Sequence, residues 1–316
     1  MPRKKKGEPI HGWICFDKPL DMTSTSAVGK IRWLFQAQKA GHAGTLDPLA
    51  TGILPIALGE ATKTVPYLME ADKTYSFTIA FGTTTDSYDA EGRVTATSDA
   101  RPTQEAIEAA LPAFIGVVEQ VPPAFSAIKV DGQRAYDLAR AGVEVELKAR
   151  EVEIFDLTLD AFHGDSADFT LHCGKGTYVR SVARDLCLEL DVCGHVSRLR
   201  RESVGAFETK DAITLEKLED LVHRGAHLEA LLAVGTALDD IPALPVTQDE
   251  ASRLKQGRDL ALLPRQIDFI SEALKARRAA GYEAFPDTVQ AVLKGQVIAL
   301  CEARGGLLHP ARILNL

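Results

Sequence analysis

From Thr74 to Gly82 the chain alternates without a break. Tyr75, Phe77, Ile79 and Phe81 share one face, while Ser76, Thr78 and Ala80 share the other. A period of two with aromatic and β-branched residues on one face specifies a half-buried strand. Further strand-like runs lie at 10–16, 143–148, 151–162 and 167–173. Helical spacing is read at 26–38 (Ala27, Ile31, Leu34, Phe35, capped among Thr23, Ser24 and Thr25) and near 103–115 behind Thr103, with Pro112 ending or kinking it. More helices are expected at 133–141, from a Thr177 cap to about Leu190, and near 214–223 and 227–234. Strands and helices are mixed without regular βαβ alternation, so the fold class is α+β.

With 316 residues, the chain is long for a single core. Asp239-Asp-Ile-Pro-Ala-Leu-Pro245 reads as a linker. Beyond it come short strands with Gly turns and an inserted helix near 268–280. The expected division is a basic flexible tail (1–9), a larger domain (10–245) and a small β-rich domain (246–316). No apolar run reaches the roughly 18–20 residues that span a bilayer. The five cysteines are scattered and odd in number, which fits a reducing cytoplasm. The net charge of −8 argues against a polyanion partner until it is divided along the chain. Residues 1–64 hold 9 basic and 5 acidic side chains, residues 173–205 hold 6 and 4, and residues 247–316 hold 10 and 8. Three basic segments in an acidic chain leave a nucleic-acid partner open.

Asp47 lies between Leu46 and Pro48 in a Gly- and Thr-rich stretch, 41–55, read as a loop with a constrained path. The proline biases Asp47 to an extended backbone. A carboxylate held so serves as a nucleophile, a general base or an ordinary Asx-turn residue. Arg180 and Arg184 stand one turn apart after Cys173-Gly-Lys-Gly-Thr177, where free helix amides suit an anion. By itself Tyr75 reads first as a core or cleft-edge ring, its functional reading being a stacking platform for a base. Cys187, Cys193 and His195 lack metal-ligand spacing, and Asp86–Gly92 fails the calcium-loop register. No GxSxG, HExxH or GxGxxG occurs.

Gly41-His-Ala-Gly-Thr-Leu-Asp-Pro-Leu-Ala-Thr-Gly52 resembles the catalytic loop of the TruB family, bacterial tRNA pseudouridine synthases acting on the T-loop uridine. Further segments are similar to that family in the same order: Gly12–Ser24, Lys73-Thr-Tyr75 with Gly82–Asp89, Gln120–Lys129 with Gly132 and Tyr136, Cys173–Arg180, and His195–Arg201. The resemblance implies a pseudouridine synthase fold with a mixed, mainly antiparallel sheet flanked by helices, and a PUA-like RNA-binding domain after it. It implies isomerisation of uridine at tRNA position 55 through a covalent aspartate intermediate after base flipping. The alternative is an RNA-binding, tRNA-folding module without turnover. Asp47 becomes the nucleophile, Arg180 its salt-bridge partner, and Tyr75 the ring against the base and a candidate proton acceptor. His42 would occupy space left by extruded nucleotides, and Lys18, Lys129, Tyr178 and Leu199 would line the pocket or its RNA approach. The implied partner is the T-arm of tRNA, engaged by a monomer without guide RNA, membrane, metal or cofactor. Asp21 replaces the glycine usual in the first motif. Because Asp tolerates positive φ, the turn is expected to survive.

Overall fold

The computed structural model describes residues 7–316, apart from 127, 131, 136, 137, 139, 140, 142 and 144–146 and the side chains of residues 129 and 134. The expected helix 133–141 and strand 143–148 lie partly outside the described residues, as Tyr136 does; among the described ones, Gln133–Arg134 form a strand where a helix start is expected, and residues 143, 147 and 148 belong to no strand.

The strands before residue 209 are β1 (Gly12–Lys18), β2 (Ala40–His42), β3 (Ala50–Leu58), β4 (Lys73–Phe81), β5 (Thr83–Thr85), β6 (Val94–Thr97), β7 (Gly116–Gln120), β8 (Lys129–Val130), β9 (Gln133–Arg134), β10 (Arg150–Phe162), β11 (Ser166–Cys173), β12 (Gly194–Val204) and β13 (Phe207–Glu208). Nine of them form one sheet in the order β1-β3-β12-β4-β11-β10-β7, with β2 added to β3 and β13 to β12. All its pairings are antiparallel except β3 with β12. The sheet is therefore mixed and mainly antiparallel, and the fold is α+β.

The strictly alternating segment is β4, near the middle of this sheet. Its odd-numbered residues are buried and its even-numbered ones half-exposed. Phe77 stacks on its register partner Phe169 of β11, with centroids 5.2 Å apart and planes 18° off parallel. Strands β1 and β3 lack such alternation because both of their faces are covered. Ile14, Phe16, Leu54 and Ile56 face the helical side, whereas Trp13, Cys15, Ile53 and Ala57 enter a second core. Two-sided burial turns a strand into a continuous apolar run.

Helix α1 (Ser24–Leu34) begins where Thr23 Oγ1 accepts the Ser26 amide at 3.0 Å. Pro112 closes the α-turns after Ala110 and leaves a 3₁₀ turn over Leu111–Phe114. The stretch 41–55 is less of a loop than its Gly and Pro content implies, since only residues 43–49 lie between β2 and β3. Pro55 fits in β3 because its carbonyl turns to Ala43, away from the β1 ladder, and its missing N–H points the same way.

The last seventy-odd residues carry a five-stranded sheet of β14 (Ala243–Pro245), β15 (Leu260–Ala261), β16 (Thr288–Leu293), β17 (Gln296–Arg304) and β18 (Leu307–Ile313), ordered β14-β16-β17-β18-β15. A helix over Pro264–Ala279 interrupts it. Val297, Leu300 and Leu314 join Trp13, Phe207 and Ile53 in the second core, so the two sheets share buried apolar surface. Lys63 Nζ donates to the Ile313 carbonyl at 2.7 Å, and the Asn315 amide to Glu60 at 2.8 Å. Among the described residues no helix is long and apolar enough to cross a membrane.

Gly52 sets the close pairing of β3 with β12. Its φ is +97°, and a Cβ there would lie 2.2 Å from the Arg201 carbonyl oxygen. Gly52→Ala is expected to lower unfolding free energy by about 3 kcal/mol or more, from strain plus the lost strand approach. Gly41→Ala, where nothing lies within 4 Å, should stay within about 0.5 kcal/mol of the parent. Urea unfolding of both variants measures the contrast.

Candidate active site

Residues 43–49 leave β2 and return as β3 beneath the start of a helix over Val179–Glu189. Their path is pinned from several directions. Ser24 Oγ donates to the Leu46 carbonyl and accepts its amide, both at 2.9 Å. Pro48 O accepts the Asp21 amide at 3.0 Å and Lys18 Nζ at 3.2 Å. The Ala50 amide closes on Asp47 O at 3.1 Å. Asp21 has φ +62°, so the glycine-like turn is made by an aspartate. The segment Lys18–Ser24 is thus a cradle for the loop that presents Asp47.

The Asp47 carboxylate meets Arg180, with Nη2 to Oδ2 at 2.8 Å; the aspartate side chain is 41% exposed and the arginine side chain 5%. Arg180 also donates to the carbonyls of Ser87 (3.0 Å) and Phe125 (2.9 Å), and its Nη1 lies 3.6 Å from Asp89. Asp89 is turned inward and held by Ser87 Oγ and the Glu91 amide. Burial, with Asp89 and Asp47 adding to it, raises the pKa of Glu91 against the opposing pull of Arg180.

A cleft of about 530 Å³ opens beside the Asp47–Arg180 pair, with Leu46, Tyr75, Tyr178, Leu199 and Arg201 among its walls. Tyr75 is 8% exposed and rises from β4. Burial raises the pKa of its phenol, and Arg201, its partner across the β4–β12 pairing, pulls the other way. Tyr178 is fixed by Gln120, whose Oε1 accepts its amide at 2.8 Å and whose Nε2 donates to its carbonyl at 3.3 Å. Arg150 lies over the Tyr178 ring, 5.2 Å from its centroid. One floor therefore holds a partly exposed carboxylate, a sealed guanidinium and two aromatic rings. Among the described residues, no group of three or more His, Cys, Asp or Glu is placed to hold a metal ion.

Residues 32–179 match the TruB family pseudouridylate synthase N-terminal domain, and residues 180–240 the tRNA pseudouridylate synthase B C-terminal domain. A tRNA pseudouridine synthase B of Caulobacter vibrioides is 59% identical over 317 aligned residues, covering 100% of both chains. One from Bradyrhizobium diazoefficiens is 51% identical, over 97% of this chain and 86% of its own. The chain belongs to the TruB family.

TruB enzymes are pseudouridylate synthases, which are isomerases. An H/ACA RNP bound to a substrate RNA containing 2'-deoxyuridine superposes on this TruB chain with a TM-score of 0.71 at 21% identity. The alignment covers 100% of this chain and 92% of the other, a likeness of fold.

Five of the residues singled out in the sequence meet around the TruB cleft: Asp47, Tyr75, Tyr178, Arg180 and Leu199. Lys18 does not. It is fully buried, and its ammonium donates to Pro19 O (3.0 Å), Met22 O (2.8 Å) and Pro48 O (3.2 Å). Burial pushes its pKa down to about 8, with Asp47 and Asp21 opposing. It supports the loop from behind instead of lining an RNA path. His42, on β2, is also not among the residues lining this cleft. Its Nδ1 is shut from solvent with no hydrogen-bond partner among the described residues, and burial followed by Arg201 lowers its pKa. Lys129 belongs to β8, and its side chain lies outside the described residues. Thr177 is not the helix cap: Tyr178 is the N-cap residue, and Thr177 Oγ1 donates to Gly174 O at 3.2 Å.

Three buried groups at this TruB site lie within segments quoted from the sequence but were given no role there: Asp89, Lys73 and Arg201. Arg201 had a readable signal, because it sits two residues beyond Leu199 in a strand and so shares its face. Lys18→Met strips three carbonyls of their donor. It is expected to lower stability by about 1–3 kcal/mol and to speed amide exchange at Leu46 and Ala50 by on the order of 10-fold. Hydrogen exchange read by mass spectrometry tests this.

Proposed function

We propose that this chain converts uridine to pseudouridine in the T-loop of tRNA, at position 55, with Asp47 as covalent nucleophile after the base has flipped into the cleft. The observation that carries this reading is the 2.8 Å Asp47–Arg180 contact at the base of a cleft walled by Tyr75 and Leu199. The curated relatives, matched end to end and named tRNA pseudouridine synthase B, support the substrate class.

The reaction breaks the N1–C1′ bond, turns the base and joins C5 to C1′. A carboxylate attacking C1′ displaces the uracil with its N1 electron pair; one attacking C6 tethers the base while the glycosidic bond breaks. Either adduct ends with the carboxylate released, the C5 proton lost to solvent and a proton gained at N1. Atoms balance without a donor or redox partner. Arg180 holds Asp47 by one fork of its guanidinium, and its buried remainder is anchored by carbonyls, so the carboxylate is aimed before substrate arrives. Tyr75 and Tyr178 offer ring faces that offset the unstacking of the target base.

In the same reading the protein acts as a monomer and without a guide RNA. The division into a tail (1–9), a catalytic domain (10–245) and a PUA-like domain (246–316) belongs to this proposal, and its support is the second, five-stranded sheet that begins with Ala243–Pro245. That domain would grip the tRNA through its basic side chains.

T-arm RNA carrying tritium at uracil C5 tests the activity. The wild-type protein is expected to release tritium in proportion to pseudouridine formed at the T-loop position. RNA bound without any release would show a binding module instead.

Arg180→Lys keeps a cation but loses the planar fork and the two carbonyl contacts. It is expected to cut turnover by on the order of 10²-fold or more with RNA affinity little changed. Single-turnover kinetics and filter binding on the same RNA measure the two effects separately.

A further inference from the structure

Arg201 is one of the largest fully buried side chains, 1% exposed, yet it borders the cleft. It lies opposite Tyr75 in the β12–β4 register and opposite Gly52 in the β12–β3 register. Its Nε donates to Ile53 O at 2.8 Å and its Nη2 to Gly44 O at 3.0 Å. Gly44 has φ +84°, and a Cβ there would stand 3.1 Å from Arg201 Nη1, so backbone and guanidinium are in direct contact. One planar side chain thus touches β3 and the turn that leads to Asp47, and it stands beside Tyr75 across the β12–β4 pairing. Among the described residues no carboxylate is one of its hydrogen-bond partners, which is costly for a buried charge unless its position is used.

We propose that Arg201 is a positioning residue for the isomerisation. From beneath the cleft it locks the Tyr75 phenol and the Gly44–Asp47 turn to each other, so the ring that receives the base and the attacking carboxylate keep one spacing. The inference rests on the reaction proposed above. Its charge also bears on the phenol. The groups facing Tyr75 are Arg201 from β12, Cys173 from β11 and Asp47 from the loop. Around Arg201 itself stand Lys73, Lys18 and His42. Of these, the arginine is the cation set to hold the hydroxyl in register and to favour its ionised form.

Protein labelled with 3-fluorotyrosine tests the contact, with the Tyr75 fluorine signal assigned by its loss in Tyr75→Phe. In Arg201→Met the pH midpoint of that signal is expected to rise by about one unit or more, and in Arg201→Lys by less. An unchanged midpoint in both variants overturns the proposal. Tritium release tests the consequence. Arg201→Met should lose on the order of 10²-fold in turnover with RNA affinity little changed, but far less when made in a Tyr75→Phe background. Equal losses in both backgrounds would make Arg201 a general scaffold residue and overturn its action through Tyr75. If Arg201→Met does not fold, Arg201→Lys is read the same way, with a smaller loss and the same dependence on Tyr75. A wild-type protein that releases no tritium would defeat the proposed reaction, whereas the fluorine titration still decides the Arg201–Tyr75 contact.

Discussion

A guanidinium removed from water must be matched on every side, and the burial of Arg180 organises the active end of this protein. Its partners come from three separate stretches: Asp47 from the turn between β2 and β3, Ser87 and Asp89 from the acidic turn after β5, and Phe125 from the segment after β7. The shared cation ties these stretches together, while the turn that bears Asp47 is also held by the buried Ala43 and Leu46. The two carboxylates divide the work by exposure. The Asp89 side chain, 10% exposed, neutralises charge inside, while that of Asp47, 41% exposed, reaches the cleft.

That arrangement needs a rigid floor, which the sheet supplies. Strands β1 and β3 are packed on both faces, and the second core joins them to the C-terminal sheet through Val297, Leu300 and Leu314. On this base, Lys18, Asp21 and Ser24 hold residues 46–48 from one side while Arg201 holds Gly44 and Ile53 from the other. Lys18 of the first motif and Arg201 of β12 are therefore structural supports of the Asp47 loop. Their positive charges are spent on backbone carbonyls rather than presented to a polyanion, and for this reason the formal charge of a segment is a poor guide to which surface is basic.

Much of the fold was legible because burial is one-sided where periodicity is clear. β4 and β11 alternate and were readable nearly to the residue, and the Thr23 and Thr103 caps announce their helices. The start of β3 was obscured by Gly52 and Pro55, which read locally as breakers but are tolerated because Gly52 takes φ +97° against β12 and the missing N–H of Pro55 points away from the β1 ladder. The Thr177 cap failed because its hydroxyl is taken by Gly174 O. At the site, resemblance marked Asp47, Tyr75 and Arg180, and the structure brings them together. Lys18 misled because a lysine in a motif reads as an RNA contact, and only its three carbonyl partners reveal an internal strut. Asp89 and Arg201 were hidden for a related reason: a buried charge looks like any surface charge until its partners, far away in sequence, are known.

In the proposed reaction Asp47 reacts with the bound nucleotide and does not merely help to hold it. Asp47→Asn, which keeps the shape and removes the charge, separates the two roles when affinity and single-turnover rate are measured on one T-arm RNA. Affinity within about 3-fold of the parent, with turnover reduced on the order of 10³-fold or more, is the outcome this chemistry requires. Turnover close to the parent, or a loss in rate that simply follows a loss in affinity, would contradict it.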